Sequence, residues 1–153
     1  MGSPFLSLKN RNYHENPFIV IWEVTRACAL KCLHCRAEAQ YTTADPRQLS
    51  FEEGKRSSLT KLLQWITHYL FSLSDPLMRP DLYDLAKYAI EKKLPVSMTP
   101  SATPKVTKNA IDQAKEVGLS RWAFSLDGSN AEIHDHFRGT KGSYDLTMKV
   151  LTT

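Results

Sequence analysis

The chain has 153 residues, of which 42% are hydrophobic and 24% charged, a balance typical of one soluble globular domain with a buried core. Its net charge of +4 comes from 20 Lys and Arg against 16 Asp and Glu, and the basic residues are scattered rather than clustered. This excludes nucleic-acid and membrane-surface binding as first expectations, although mild basicity favours an anionic ligand. Without a membrane-length apolar segment or a signal-peptide pattern, we expect a cytoplasmic protein.

The first half of the chain predicts an N-terminal arm followed by alternating strands and helices. Residues 1–16 are polar and irregular, and one domain is expected over residues 17–153. Residues 18–24 are apolar on both faces, which is typical of a strand buried in a parallel sheet. Ser50-Phe51-Glu52-Glu53 is a capping box that predicts the start of a helix. A short second strand is predicted over residues 69–73.

The second half continues the same alternation. The predicted elements are a helix opened by Arg79-Pro80-Asp81, a strand over residues 95–99, a helix from Thr107 to Val117 ended by Gly118, a strand over residues 119–126, and a helix from Ser143. We expect His134 and Asp135 to fix the loop that precedes this last helix. Repeated strand–helix units predict an α/β fold with a parallel sheet and right-handed crossovers.

Three cysteines stand together in the loop after the first strand, as Cys28, Cys32 and Cys35. So close a group is a poor disulfide framework, and thiolates are soft ligands that select zinc or iron–sulfur clusters. Either centre normally takes four protein ligands. For zinc the fourth ligand would have to be a histidine such as His34, His134 or His136. For an iron–sulfur cube, three thiolates would leave one iron open to another ligand.

The spacing Cys28-x3-Cys32-x2-Cys35 after a first strand resembles the signature of the radical S-adenosylmethionine (radical SAM) enzymes. A later run resembles the branch with SPASM-type C-terminal domains, which includes peptide maturases and enzymes of tetrapyrrole biosynthesis; it comprises Ser125-Leu126-Asp127-Gly128, His134-Asp135 and Arg138-Gly139. The resemblance covers roughly residues 16–40 and 76–153. It implies an incomplete parallel (β/α) barrel of the radical SAM type, with about four βα units.

By this resemblance, the three cysteines bind three irons of a 4Fe–4S cluster, and S-adenosylmethionine chelates the fourth through its amino and carboxylate groups. A reductant such as ferredoxin or flavodoxin supplies an electron. The 5′-deoxyadenosyl radical that results abstracts hydrogen from a peptide, a tetrapyrrole-type compound or another small molecule. The cofactors carry this chemistry, and the protein positions them.

The resemblance also implies five cofactor-binding residues, and it does not identify a catalytic residue. His34 stands where the family usually has an aromatic residue near the adenine. Ser125 and Arg138 match residues that meet the carboxylate of S-adenosylmethionine, and Asp127 matches a position at or near the cofactor. Asp75 is the acid of a Gly-Gly-acid-Pro motif after the second strand.

That motif is altered in this chain. It reads Leu73-Ser74-Asp75-Pro76, so both glycines, which tolerate a positive φ and close approach of a ligand, are missing. The whole of residues 57–74 departs from the family pattern. One hypothesis is a local reading-frame disturbance, which an uninterrupted frame in expressed transcript would contradict.

Length is the second departure from the family. A complete barrel needs roughly 200 residues or more, so we expect a truncated chain without a C-terminal cysteine-rich domain. Two alternatives to an active enzyme follow. One is a catalytically inactive cluster-binding remnant of the family, and the other is a small zinc-stabilised interaction module.

Overall fold

The computed structural model describes residues 19–39, 45–56, 68–72 and 74–152. The predicted arm over residues 1–16 and the position of Leu73 lie outside these ranges. In the described residues, no helix is both long enough and apolar enough to cross a lipid bilayer.

Among the described residues, four parallel strands form one sheet, side by side in the order in which they occur in the sequence. They are β1 (Ile19–Glu23), β2 (His68–Ser72), β3 (Val96–Met98) and β4 (Arg121–Trp122). Ile19 lies opposite His68, and Ser97 lies opposite both Leu70 and Arg121. The parallel α/β sheet is therefore confirmed, whereas its completion into a barrel stays a prediction.

Strand β4 is shorter than the predicted 119–126 because its partner strand ends early. The Ala123 amide still donates to the Met98 carbonyl at 3.0 Å, but β3 ends at Met98. Pro100 follows two residues later, and proline has no N–H with which to continue a ladder. Residues 124–126 therefore leave the sheet and are available to form a loop at the carboxyl ends of the strands.

Helices follow the strands as expected from the alternation. They are α1 (Phe51–Gly54), a 3₁₀ turn (Pro76–Met78), α2 (Leu82–Glu91), α3 (Lys108–Val117), α4 (Ala131–Arg138) and α5 (Ser143–Leu151). The predicted capping box at Ser50 is present, since the Ser50 hydroxyl accepts from the Glu53 amide and the Glu53 carboxylate accepts from the Ser50 amide. The predicted cap at Thr107 and the end of its helix at Gly118, with φ +85°, are also confirmed.

One local prediction about α2 is wrong, because Pro80 precedes the N-cap residue Asp81 instead of lying in the first turn. The Asp81 carboxylate makes no capping hydrogen bond at this helix end. Asp81 instead accepts from Arg79 Nε at 2.7 Å and Nη2 at 2.9 Å. Arg79 is only 3% exposed, and a buried guanidinium needs a counter-charge more than the helix end needs a cap.

Helix α4 occupies the segment that we expected to be a loop. The Asn130 side chain accepts from the Ile133 amide at 3.0 Å, and Gly139, with φ +60°, ends the helix. Asparagine at an N-cap and glycine just past the last turn are both helix-boundary signals that the sequence contains.

The core lies between one face of the sheet and helix α2. Phe71, Leu82, Leu85 and Met98 are buried there, and Trp22 packs edge-to-face against Phe71 with ring centroids 5.8 Å apart. Alternate residues of β1 point away from this core, and Ile19 and Ile21 are about half exposed. In the part of the chain that the structure describes, helices therefore cover one face of β1, and the expectation of a strand buried on both faces is wrong there.

Candidate functional site

A cavity of about 210 Å³ lies where the loops after the strands come together. Carboxyl ends of parallel strands meet at one edge of a sheet, and loops from these ends commonly form ligand sites. Segments after all four strands, together with the end of α4, contribute to its wall. They include Cys28, Cys32, Cys35, His34, Ser74, Ser101, Ser125 and Arg138.

Two of the three cysteine sulfurs accept hydrogen bonds from nearby backbone. The Leu30 amide donates to Cys28 Sγ at 3.4 Å, and the Ala39 amide donates to Cys35 Sγ at 3.4 Å. Each donor lies a few residues after the sulfur that it contacts, so the loop itself forms these bonds. Such donors stabilise a sulfur that carries negative charge.

The third sulfur has a donor from a distant part of the chain. Arg138 Nη1 lies 3.7 Å from Cys32 Sγ, and Arg138 Nε lies 2.5 Å from Asp127 Oδ2. The Asp127 amide in turn donates to His134 Nδ1 at 3.1 Å. Arg138 therefore joins the cysteine loop to the segment after β4, and Asp127 sits behind the arginine instead of on the cavity wall.

Burial raises the pKa of the Cys28 thiol, and hydrogen bonds with the Leu30 amide and the Ser101 side chain oppose this rise. Cys28 is 6% exposed, and Ser101 Oγ lies 3.5 Å from its sulfur. The Ser101 hydroxyl also donates to the Ser74 carbonyl at 3.2 Å. A metal centre that binds this sulfur would have to displace a proton that burial retains. Loading of the cavity with that centre should therefore depend on pH.

These residues fit an iron–sulfur cluster better than a single zinc ion. Three soft sulfurs line one cavity, and each has an N–H donor. Within the described ranges, no three or more Cys, His, Asp or Glu side chains converge on one point that could hold a metal ion. Three thiolates match a cluster that has one open iron, whereas a structural zinc ion takes four protein ligands.

Two of the three histidines considered as a fourth zinc ligand are poorly placed. His34 lines the cavity, but His134 is fully buried. Its Nδ1 accepts from the Asp127 amide, and its Nε2 lies 3.3 Å from the Ser143 hydroxyl. His136 is exposed on α4 and is not part of the cavity wall.

His34 stacks on a ring from α4. Its imidazole lies 4.3 Å from the ring of Phe137, with only 15° between the planes. It therefore presents a flat surface at the cavity, as an aromatic residue would. Contact between His34 and adenine stays a prediction, as does contact between Ser125 and the carboxylate of S-adenosylmethionine.

Asp75 lies behind the cavity rather than on its wall. It is fully buried, accepts from the Thr103 hydroxyl at 2.9 Å and from the Leu77 amide at 3.2 Å, and its own amide donates to the Ala27 carbonyl at 2.9 Å. Burial raises the pKa of its carboxyl, while these donors lower it. In this structure Asp75 fixes the loop after β2 and does not contact the cavity.

Ser74 has a backbone conformation that favours glycine. Its φ is +56°, in the left-handed region that non-glycine residues adopt at a cost, and it lines the cavity. Serine therefore adopts here a positive φ that glycine would adopt at lower cost.

The predicted structural role of His134 and Asp135 is confirmed, although they lie on a helix. The Asp135 carboxylate accepts from the Gly142 amide at 2.6 Å and the Tyr144 amide at 2.7 Å, which fixes the start of α5. His134 fixes Asp127 from the other side of the same helix.

The chain is similar in sequence to proteins of known families. A family model described as the Radical SAM superfamily matches residues 22–153, a range that includes residues 57–74. The chain is 40% identical over 131 residues to an AdoMet-dependent heme synthase of Oleidesulfovibrio alaskensis, covering 86% of this chain and 33% of that protein. It is 33% identical over 142 residues to the mycofactocin maturase MftC of Mycolicibacterium smegmatis, covering 90% and 34%.

The same fold occurs in a solved structure. The crystal structure of Streptococcus suis SuiB bound to precursor peptide SuiA superposes with a TM-score of 0.71 at 16% identity, over 88% of this chain and 29% of that one. The chain thus spans about a third of the length of the curated relatives that it matches.

Proposed function

The chain belongs to the Radical SAM superfamily, whose members use a 4Fe–4S cluster and S-adenosylmethionine, and we propose that it binds both in the cavity at the strand ends. The observation that carries this proposal is the cysteine arrangement. Three thiols line one cavity, and each sulfur has its own N–H donor. N–H donors at the sulfurs would stabilise the negative charge of a bound cluster.

The residues divide into those that would hold the cluster and those that would face the cofactor. Cys28, Cys32 and Cys35 are the proposed cluster ligands. His34 and Ser125 share their cavity and are proposed to contact S-adenosylmethionine. When bound and given one electron by a reductant, the cluster and S-adenosylmethionine would supply a 5′-deoxyadenosyl radical that takes a hydrogen atom from the substrate.

The substrate is proposed from the relatives. Their names describe two classes, since the heme synthase makes a tetrapyrrole and SuiB binds a precursor peptide. We assign a peptide or tetrapyrrole-type substrate, a reductant such as ferredoxin or flavodoxin, and the cytoplasm as the compartment. Residues 17–153 are proposed to form the cofactor-binding domain.

Anaerobic reconstitution with iron and sulfide tests the cluster assignment. We expect iron and labile sulfide in near-equal amounts, and a Cys35→Ser variant should lose most of both. Stoichiometric zinc with no labile sulfide would support the zinc-stabilised module instead.

A second assay tests catalysis. Dithionite and S-adenosylmethionine are added to the loaded protein, and 5′-deoxyadenosine is measured. We expect its formation in the wild type and not in Cys35→Ser. A fully loaded protein that yields none would be the inactive remnant.

A further inference from the structure

The C-terminal end of α4 docks directly on the cysteine loop. The Lys31 amide donates to the Arg138 carbonyl at 3.2 Å, and the Leu33 amide donates to the Phe137 carbonyl at 2.9 Å. These two donors are the residues on either side of Cys32. The backbone at Cys32 is therefore held on both sides by one helix end.

The Arg138 side chain completes this contact at the sulfur itself. Its Nε is paired with Asp127 and its Nη1 lies 3.7 Å from Cys32 Sγ. Because a guanidinium is a rigid planar fork, fixing Nε also fixes the direction of Nη1. The Arg138 side chain is only 11% exposed, so water screens its charge weakly.

A second arginine on the same cavity provides a contrast. Arg36 also lines the cavity, but its side chain is 73% exposed and its Nη2 lies 3.9 Å from the Glu23 carboxylate. It carries the same charge as Arg138 in the same neighbourhood. What distinguishes Arg138 is burial and contact with a ligand sulfur.

We propose that Arg138 is a positioning residue that fixes Cys32 and raises the reduction potential of the cluster, with Asp127 orienting the guanidinium. The inference rests on the proposed function. Reduction adds negative charge to a cluster, and a cationic N–H donor at a ligand sulfur stabilises the more negative form. Arg138 thereby acts on the cluster, in addition to any contact with the carboxylate of S-adenosylmethionine.

The test is a redox titration of the full chain after anaerobic reconstitution. The reduced cluster is followed by electron paramagnetic resonance in wild type, Arg138→Gln and Arg36→Gln. In Arg138→Gln we expect the ratio of reduced to oxidised cluster at the wild-type midpoint to fall about tenfold, which is ~59 mV for a one-electron couple. Arg36→Gln removes the same charge but should shift the potential several times less, because water screens it.

The outcomes separate this inference from the proposed function. Absence of labile sulfide in the wild type would overturn the proposed function. A loaded wild type with equal shifts in the two variants, or no shift in Arg138→Gln, would overturn the inference alone.

A variant that fails to load is also informative. Loss of iron from a folded Arg138→Gln, while Arg36→Gln loads fully, would support the positioning of Cys32. Arg138→Lys then tests the orienting role of Asp127, since lysine keeps the positive charge but lacks the rigid fork that fixes one N–H on Asp127 and another on Cys32. A wild-type potential in Arg138→Lys would overturn the role assigned to Asp127.

Discussion

Gly139 is the residue at which the contact between α4 and the cysteine loop can be broken most selectively. A Cβ added there would lie 2.1 Å from the Lys31 carbonyl oxygen and 2.8 Å from its carbonyl carbon. The obstacle is backbone, which cannot rotate away as a side chain could. In Gly139→Ala the loop must retreat by 3.0 − 2.1 = 0.9 Å or more to reach the closest spacing that real Cβ atoms show.

The cost can be worked from this displacement. A retreat of that size breaks the two backbone hydrogen bonds that flank Cys32, each worth about 1 kcal/mol. Alanine at φ +60° adds about 1–2 kcal/mol of left-handed strain. We expect Gly139→Ala to lower the free energy of unfolding by about 3–4 kcal/mol, a large part of the ~5–15 kcal/mol typical of a domain.

Gly142 provides the matched control. Its φ is +82°, and no heavy atom lies within 4 Å of the position of an added Cβ. Gly142→Ala should therefore show the left-handed strain alone, about 1–2 kcal/mol. Urea unfolding followed by circular dichroism measures both variants, and iron and sulfide analysis after reconstitution measures cluster loading. If Gly139→Ala is no less stable than Gly142→Ala and loads as fully as the wild type, α4 does not hold the cysteine loop.

Three further predictions concern single side chains in α4 and in the loop after β2. The amide of Tyr144 and then that of Gly142 lower the pKa of Asp135, so its contribution to stability is present above the ordinary carboxyl pKa and is lost as pH falls through the lowered value. The urea midpoint should therefore fall less between pH 5 and pH 2 in Asp135→Asn than in wild type, and parallel declines would contradict this. Ser74→Gly should raise the free energy of unfolding by about 0.5–1 kcal/mol because it relieves a positive φ, and a loss of stability would count against that reading. Asp75→Ala should lower the free energy of unfolding by about 2–3 kcal/mol in urea, because two donors lose their buried acceptor. An unchanged urea midpoint would show that these two hydrogen bonds contribute little.

Predictions that depended on a few neighbouring residues were mostly correct. The capping box at Ser50 and the helix between Thr107 and Gly118 form because each signal acts within one turn of backbone. The cysteine spacing after an apolar strand likewise indicated a shared ligand set, and the structure brings the three thiols to one cavity. Helix α4 was missed although Asn130 and Gly139 mark its ends, because its surface is largely polar.

Only the tertiary structure decided which residues meet at the site. Cys32 and Arg138 are 106 positions apart, and their contact exists because parallel strands bring their following loops to one edge of the sheet. Asp75 was expected to bind the cofactor and Asp127 to lie at or near it; in the structure Asp75 fixes the loop after β2 and Asp127 orients an arginine, and their contact with the cofactor stays a prediction. The sequence by itself therefore determined the candidate ligands and the strand–helix order, because these are local. The partners of each charged side chain depend on burial and distance across the fold, which no local pattern contains.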